Sequence, residues 1–184
     1  EHRGYLSPET RKLKTERNFD ILQASVQSGS NDPYLFMEYG HSLYQKEMYE
    51  EALTQYAKIW QLSLSDHLEV KRFTPVFIAN AFKKMNQLED AIDWYTLSID
   101  QYPEIMTAHY EYARILTENG SPQKAFSSLK KSIQQVPVIG SIPQDYRGVM
   151  RNIWGLHTLL QISLGDNREL FKQVLTWKSN QGQS

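Results

Sequence analysis

The feature that most constrains this 184-residue chain is a pair of small residues twelve positions apart, repeated three times: Gly40 and Ala52, Ala79 and Ala91, Ala113 and Ala125. Each pair sits in the same local pattern. The first unit reads Phe36-x-x-Tyr39-Gly40-x-x-Leu43, then Tyr49-Glu50-Glu51-Ala52-x-x-x-Tyr56. The second reads Ile78-Ala79-x-x-Phe82, then Leu88-Glu89-Asp90-Ala91-x-x-x-Tyr95, closing at Pro103. The third reads Tyr112-Ala113-x-x-Leu116, then Gly120-Ser121-Pro122-Gln123-Lys124-Ala125-x-x-x-Leu129, closing at Pro137. Apolar positions three and four apart share one helix face. A small residue on that face lets two helices approach closely, and a large side chain there would overpack the crossing at a cost of about 1–3 kcal/mol. The acidic pairs Glu50-Glu51 and Glu89-Asp90 suit the positive end of a helix dipole. Pro103 and Pro137 stop the second helix of their units.

From Ala91 to Ala125 the spacing is 34 residues, and from Ala52 to Ala91 it is 39, which places about five added residues near positions 63 to 71. A helix pair on a period of about 34 with these small residues is the tetratricopeptide (TPR) pattern. The expected fold is all-α: a TPR-like solenoid, a right-handed superhelix of about nine helices in antiparallel pairs. Residues 1–32 read as a leading segment and packing helix, 33–137 as three TPR units, and 138–184 as a long loop with a degenerate capping pair. Ser7-Pro8-Glu9 is a helix start, and that helix runs to about Ser28, with Leu13, Phe19, Ile21, Leu22 and Val26 available to pack on the first unit. Its basic residues Arg11, Lys12, Lys14 and Arg17 are interleaved with Glu9, Glu16 and Asp20, the pattern of a solvated or domain-facing helix and not of a nucleic-acid arm. Near the other end, Val136 to Gly148 is a Pro/Gly-rich link, Ile153 to Leu164 is an apolar helical stretch around Trp154, and Leu170, Val174 and Trp177 form a last helical stripe.

Few kinds of chemistry are compatible with this composition. The net charge of -1 gives no bulk attraction to nucleic acid or anionic membrane. There are no cysteines, so a disulfide scaffold, a thiolate metal site and a cysteine nucleophile are all excluded, and a cytoplasmic location is expected. No apolar run approaches the roughly 20 residues of a membrane span. The sequence holds no P-loop, Rossmann fingerprint, H-E-x-x-H or G-x-S-x-G, the motifs that would carry phosphate, dinucleotide, zinc or acyl chemistry. The histidines His2, His41, His67, His109 and His157 are scattered. No catalytic residue, metal site or cofactor is therefore expected in this chain.

What a TPR stack offers is a concave face lined by the first helix of each pair. The register puts Tyr34, Met37, Glu38, His41 and Tyr44 there from the first unit, and Phe73, Phe77, Asn80, Lys83 and Lys84 from the second. The third contributes Tyr110, Glu111, Arg114 and Thr117. Aromatic, amide and basic side chains on one face suit an extended peptide or a partner helix; a homodimer is the other expected use. Chaperone adaptors of the TPR type carry a carboxylate clamp of Lys, Asn and Arg on successive helices. The matching slots here hold Met37, His41, Phe77, Thr107 and Glu111, so the chain departs from that subclass and capture of a chaperone tail is not expected.

The opening residues carry a more specific resemblance. His2-Arg3-Gly4-Tyr5, then Lys14-x-x-Arg17-Asn18, Ile21-Leu22 and Asp32-Pro33-Tyr34 are similar to the junction where bacterial family 2 glycosyltransferases leave their GT-A catalytic domain and enter TPR units. The resemblance covers residues 2 to 60 in detail. It implies that this chain is the non-catalytic TPR part of a nucleotide-sugar-dependent transferase, serving acceptor recognition or subunit pairing, with His2 as a remnant of the catalytic half. The metal-binding Asp-x-Asp of such an enzyme is absent from this sequence and would lie in a preceding domain. The alternative is a free-standing TPR adaptor that binds a peptide or a partner helix in its groove.

Overall fold

Two of the small-residue pairs, Gly40 with Ala52 and Ala113 with Ala125, fall on neighbouring helices that pack against each other. In the computed structural model, residues 8–65, 68–133 and 146–164 are described. They form eight α-helices and no strand: α1 (Pro8–Gln27), α2 (Pro33–Gln45), α3 (Tyr49–Gln61), α4 (Glu69–Lys84), α5 (Leu88–Gln101), α6 (Met106–Glu118), α7 (Pro122–Ile133) and α8 (Tyr146–Ser163). The chain divides into two compact units, with the boundary between Gln87 and Leu88. The ninth expected helix, with Leu170, Val174 and Trp177, lies outside the described residues, as do Ser7, Pro137 and most of the 136–148 link.

The helix ends follow their local chemistry. Asp32 caps α2 by accepting a hydrogen bond from the Tyr34 N–H at 2.9 Å, with Pro33 as the first helical residue. That arrangement satisfies a backbone donor the helix itself cannot. Glu50 and Glu51 lie in the first turn of α3, and Glu89 and Asp90 in that of α5. Helix α5 ends at Gln101, two residues before Pro103.

The turns that close the first helix of each repeat share one geometry. Glu47, Asn86 and Gly120 all have positive φ, at 62°, 61° and 72°. The next residue's N–H reaches back to the helix: Met48 to the Leu43 carbonyl at 3.0 Å, Gln87 to Phe82 at 3.0 Å and Ser121 to Leu116 at 2.8 Å. This is the left-handed helix stop in which one bond spans six residues. The three positions are 39 and 34 residues apart, the same spacing as the alanines. Only Gly120 is the residue type that adopts this conformation freely, and nothing lies within 4 Å of where its Cβ would be. We therefore expect Gly120→Ala to destabilise the protein by about 1 kcal/mol through backbone conformation alone, and Glu47→Gly to stabilise it by about 0.5–1 kcal/mol. Urea midpoints of the two variants, with unchanged slopes, check both signs.

The added residues of the second repeat are accounted for in part by a longer helix. Helix α4 has 16 residues where α2 and α6 have 13. Ala79 lies ten positions after its start, whereas Gly40 and Ala113 lie seven after theirs. Helix α4 also contains Pro75 in its interior, which removes the backbone donor that would have met the Lys71 carbonyl. Lys71 is held at its other end: its ammonium donates to the Trp60 carbonyl at 2.7 Å in the last turn of α3 and lies 4.2 Å from the centre of the Trp60 ring. A cation at the carbonyl end of a helix is favourably placed, and this contact ties the added segment back onto α3.

Within the first unit, α1 packs on α2 through Phe19, whose ring is 5.4 Å from that of Tyr39, with the Lys46 ammonium 4.6 Å from the Phe19 ring. Leu13 and Ile21, expected in that contact, are instead exposed. They form one ridge with Arg17 at four-residue steps, and this ridge lies off the face that carries Phe19. The second unit has a core of Met106, Ala113, Leu116, Ala125, Leu129, Ile153 and Leu160, with Tyr110, Tyr112, Phe126 and Leu156 packed against it.

Candidate functional site

In the first unit, α2 and α4 are brought together by aromatic side chains. His41 meets Phe77 edge-on at 4.6 Å between ring centres, and both contact Tyr56 of α3, at 5.8 and 5.5 Å. Phe73 stacks on Phe77 at 6.3 Å. Such rings prefer edge and offset arrangements at these separations. The cluster is therefore a packed floor joining the two first helices. Burial pushes the His41 imidazole below its usual range, with Glu38 acting weakly in the opposite sense, and burial pushes the Tyr56 phenol well up. Both side chains are neutral at pH 7.

Several of the expected groove residues surround that floor. Tyr34 is exposed at 37 %, Glu38 and Lys84 are exposed, and Tyr44 is half-buried with its ring edge-on to Tyr49 at 5.3 Å. The Lys83 ammonium donates to the Asn80 side-chain oxygen at 3.4 Å, and both residues are half-buried. Met37 differs: it is only 5 % exposed and belongs to the core, so it offers no surface to a partner. Its place in the groove followed from helical spacing, which cannot tell the edge of the buried stripe from its neighbour on the open face.

In the second unit, Tyr110 and Arg114 lie on α6 and are both half-buried. The Arg114 Nε sits between Glu111 at 3.6 Å and Glu118 at 3.7 Å, one turn either side of it. These are long, surface ion pairs worth little to stability, but they neutralise the guanidinium locally.

For His109 the sequence gives packing or solvent exposure on a first helix as the expectation, in preference to metal binding. This residue stands four residues before Ala113, where Phe36 stands before Gly40, and it is 1 % exposed. Its Nε2 lies 3.0 Å from the Pro103 carbonyl and its Nδ1 lies 3.0 Å from the Ser128 hydroxyl. A carbonyl can only accept, so Nε2 carries the proton and Nδ1 accepts from Ser128. Burial, with a smaller push from Lys131, holds this imidazole below its usual range against the opposing effect of the Pro103 and Ser128 hydrogen bonds. The arrangement fastens the end of α5 to α7 and α6 and is structural. The available signal was positional: a histidine where the repeat calls for a buried ring.

Among the described residues no group of three or more His, Asp and Glu is placed to hold a metal ion, and no helix is long and apolar enough to cross a membrane.

No protein-family model and no curated protein matches the chain. Solved structures do resemble it. A crystal structure of MamA is 16% identical, covers 98% of this chain and 99% of its own, and superposes with a TM-score of 0.66. PilF of Pseudomonas aeruginosa is 16% identical, with 95% of this chain and 72% of its own covered and a TM-score of 0.66. YrrB, described as a TPR protein with an unusual peptide-binding site, is 13% identical, with 88% and 75% covered and a TM-score of 0.58. The chain has the TPR-like α-solenoid fold. At these identities the likeness extends to the fold and no further.

Proposed function

We propose that this chain is a non-catalytic TPR interaction module that binds an extended peptide or a partner helix on the first-helix face of its repeats. The observation that carries the reading is the aromatic floor of the first unit. His41 and Phe77 join α2 to α4, and Tyr34, Glu38 and Lys84 are left open around them. A rigid apolar floor with exposed aromatic and charged side chains at its rim is what peptide recognition requires. The peptide-binding site of YrrB supports the same use of the fold. The test is to select peptides from a display library on the chain, then measure one selected peptide against the Tyr34→Ala, Lys84→Ala double variant. We expect a loss of roughly tenfold, the effect of removing about 1.4 kcal/mol of rim contact. Undiminished binding would sink this location.

The finer reading is that the module follows a GT-A glycosyltransferase domain in a bacterial, cytoplasmic protein. It rests on His2-Arg3-Gly4-Tyr5, Lys14-x-x-Arg17-Asn18 and Asp32-Pro33-Tyr34. The free-standing adaptor is equally consistent with the fold. Sequencing the reading frame upstream of Glu1 decides between them: a catalytic domain of about 200 residues with an Asp-x-Asp supports the transferase context, and a start codon close by supports the adaptor.

A further inference from the structure

The second unit has an open cleft of about 360 Å³ between its two second helices, α5 and α7. Ile99 and Asp100 of α5 form one wall, Tyr112 of α6 is part of the lining, and Lys124, Ser127 and Lys131 of α7 form the other wall. Both lysines are exposed, and neither makes an ion pair with another described residue. The first unit has a cleft of similar size, about 380 Å³, with Lys58 in it. Lys58 and Lys131 occupy the same place in their repeats, six residues after Ala52 and Ala125. Lys58, however, is already engaged: it donates to Gln55 at 3.2 Å and lies 5.1 Å from the Phe36 ring. Among the described residues Lys131 makes no ion pair or ring contact, and the second unit adds a second lysine seven residues earlier.

We propose that this cleft binds an acidic, proline-rich segment of a partner protein in the polyproline II conformation. Charge and dimension both point there. Seven helical residues put Lys124 and Lys131 about 10.5 Å apart along α7. A polyproline II chain advances about 9.3 Å in three residues and returns to the same edge, so carboxylates spaced i, i+3 face the two ammonium groups together. The half-buried Tyr112 ring and Ile99 supply the apolar surface on which proline rings pack in this mode of recognition, and the Ser127 hydroxyl is exposed beside the lysines. Asp100, on the opposite wall, opposes binding of an anion and sets the side on which the carboxylates lie.

The test uses the full chain and a fluorescein-labelled proline-rich decapeptide with two glutamates three apart, read by anisotropy at low salt. The comparator has the same composition with the glutamates adjacent. The spaced peptide is expected to bind more tightly. Lys124→Gln with Lys131→Gln is expected to weaken it by about fivefold or more, since each exposed ion pair is worth roughly two- to fivefold. Asp100→Asn is expected to tighten it by about twofold. The Tyr34→Ala, Lys84→Ala variant should leave it unchanged, which separates this cleft from the first-helix face. All three charged positions are at the surface, and circular dichroism checks that the variants fold. Equal affinity for the two peptides, indifference to the lysine pair, or equal binding of a single-stranded oligonucleotide of matched charge would each overturn the proposal.

Discussion

Replacing Gly40 by alanine is expected to destabilise the protein by about 1–3 kcal/mol, although alanine is the better helix former by about 1 kcal/mol. A Cβ built at Gly40 would lie 2.5 Å from the Tyr56 Cε1, 2.9 Å from its Cδ1 and 3.1 Å from its Cζ. No real Cβ sits that close to a ring carbon, so the ring or the helix must move. The ring has nowhere to go: Tyr56 is 1 % exposed and is held between His41 and Phe77. The strain therefore spreads into the crossing of α2 and α3 and on to α4, because close-packed interiors transmit strain. Gly155 provides the contrast. It lies inside α8, and nothing is within 4 Å of its Cβ position, so Gly155→Ala is expected to gain about 0.5–1 kcal/mol. Chemical denaturation of the two variants gives opposite signs for the same substitution; two changes of the same sign would contradict the packing argument.

The same pair of glycines shows what the sequence could reveal. Gly40 was legible because it recurs as Ala79 and Ala113, twelve residues before a second small residue each time. A spacing imposed by a helix crossing leaves its mark on every repeat. Helix boundaries were legible where proline sets them through its own backbone, with no partner needed, as at the start of α1 at Pro8 and the end of α5 before Pro103. The stop at Glu47 was not legible, because glutamate does not favour positive φ and the surrounding fold imposes it, whereas Asn86 is a residue type that tolerates the left-handed region. Met37 was misplaced, and so were Leu13 and Ile21. A helical pattern gives the direction of a face but not the width of what covers it. The Phe19 contact alone fixes which side of α1 meets α2. The cleft between α5 and α7 was invisible for a different reason. Its walls come from three helices, and the meaning of Lys131 depends on a comparison with Lys58, whose ammonium also meets the Phe36 ring, a group that only the fold brings near.

Lowering the pH from 7.5 to 5.5 is expected to destabilise the protein, with the onset near pH 6.5. Three histidines, His41, His109 and His157, are held below their usual value, in each case mainly by burial. The charged groups that act on them are Glu38 on His41, Lys131 on His109 and Lys130 on His157, and only the first favours the imidazolium. The sign follows directly. The unfolded chain takes up protons as pH falls through about 6.5, while the buried rings of the folded chain take them up only at lower pH, so the unfolded state binds more protons and stability falls with pH. Each ring that stays neutral in the fold contributes up to about 1.4 kcal/mol per pH unit below that point. The trend reverses only if a folded histidine gains a proton more readily than an unfolded one, which burial opposes in all three. His109 isolates one share of the effect. His109→Phe places the ring type of Phe36 at the equivalent position, but it removes the donor to the Pro103 carbonyl and the acceptor for Ser128. A buried polar group left unpaired costs about 1–3 kcal/mol, so the variant is expected to melt lower at pH 7.5. It should nevertheless lose less than the parent on acidification, because one proton-linked group is gone. A variant whose melting temperature falls between pH 7.5 and 5.5 as steeply as the parent's would mean that His109 is protonated in the fold.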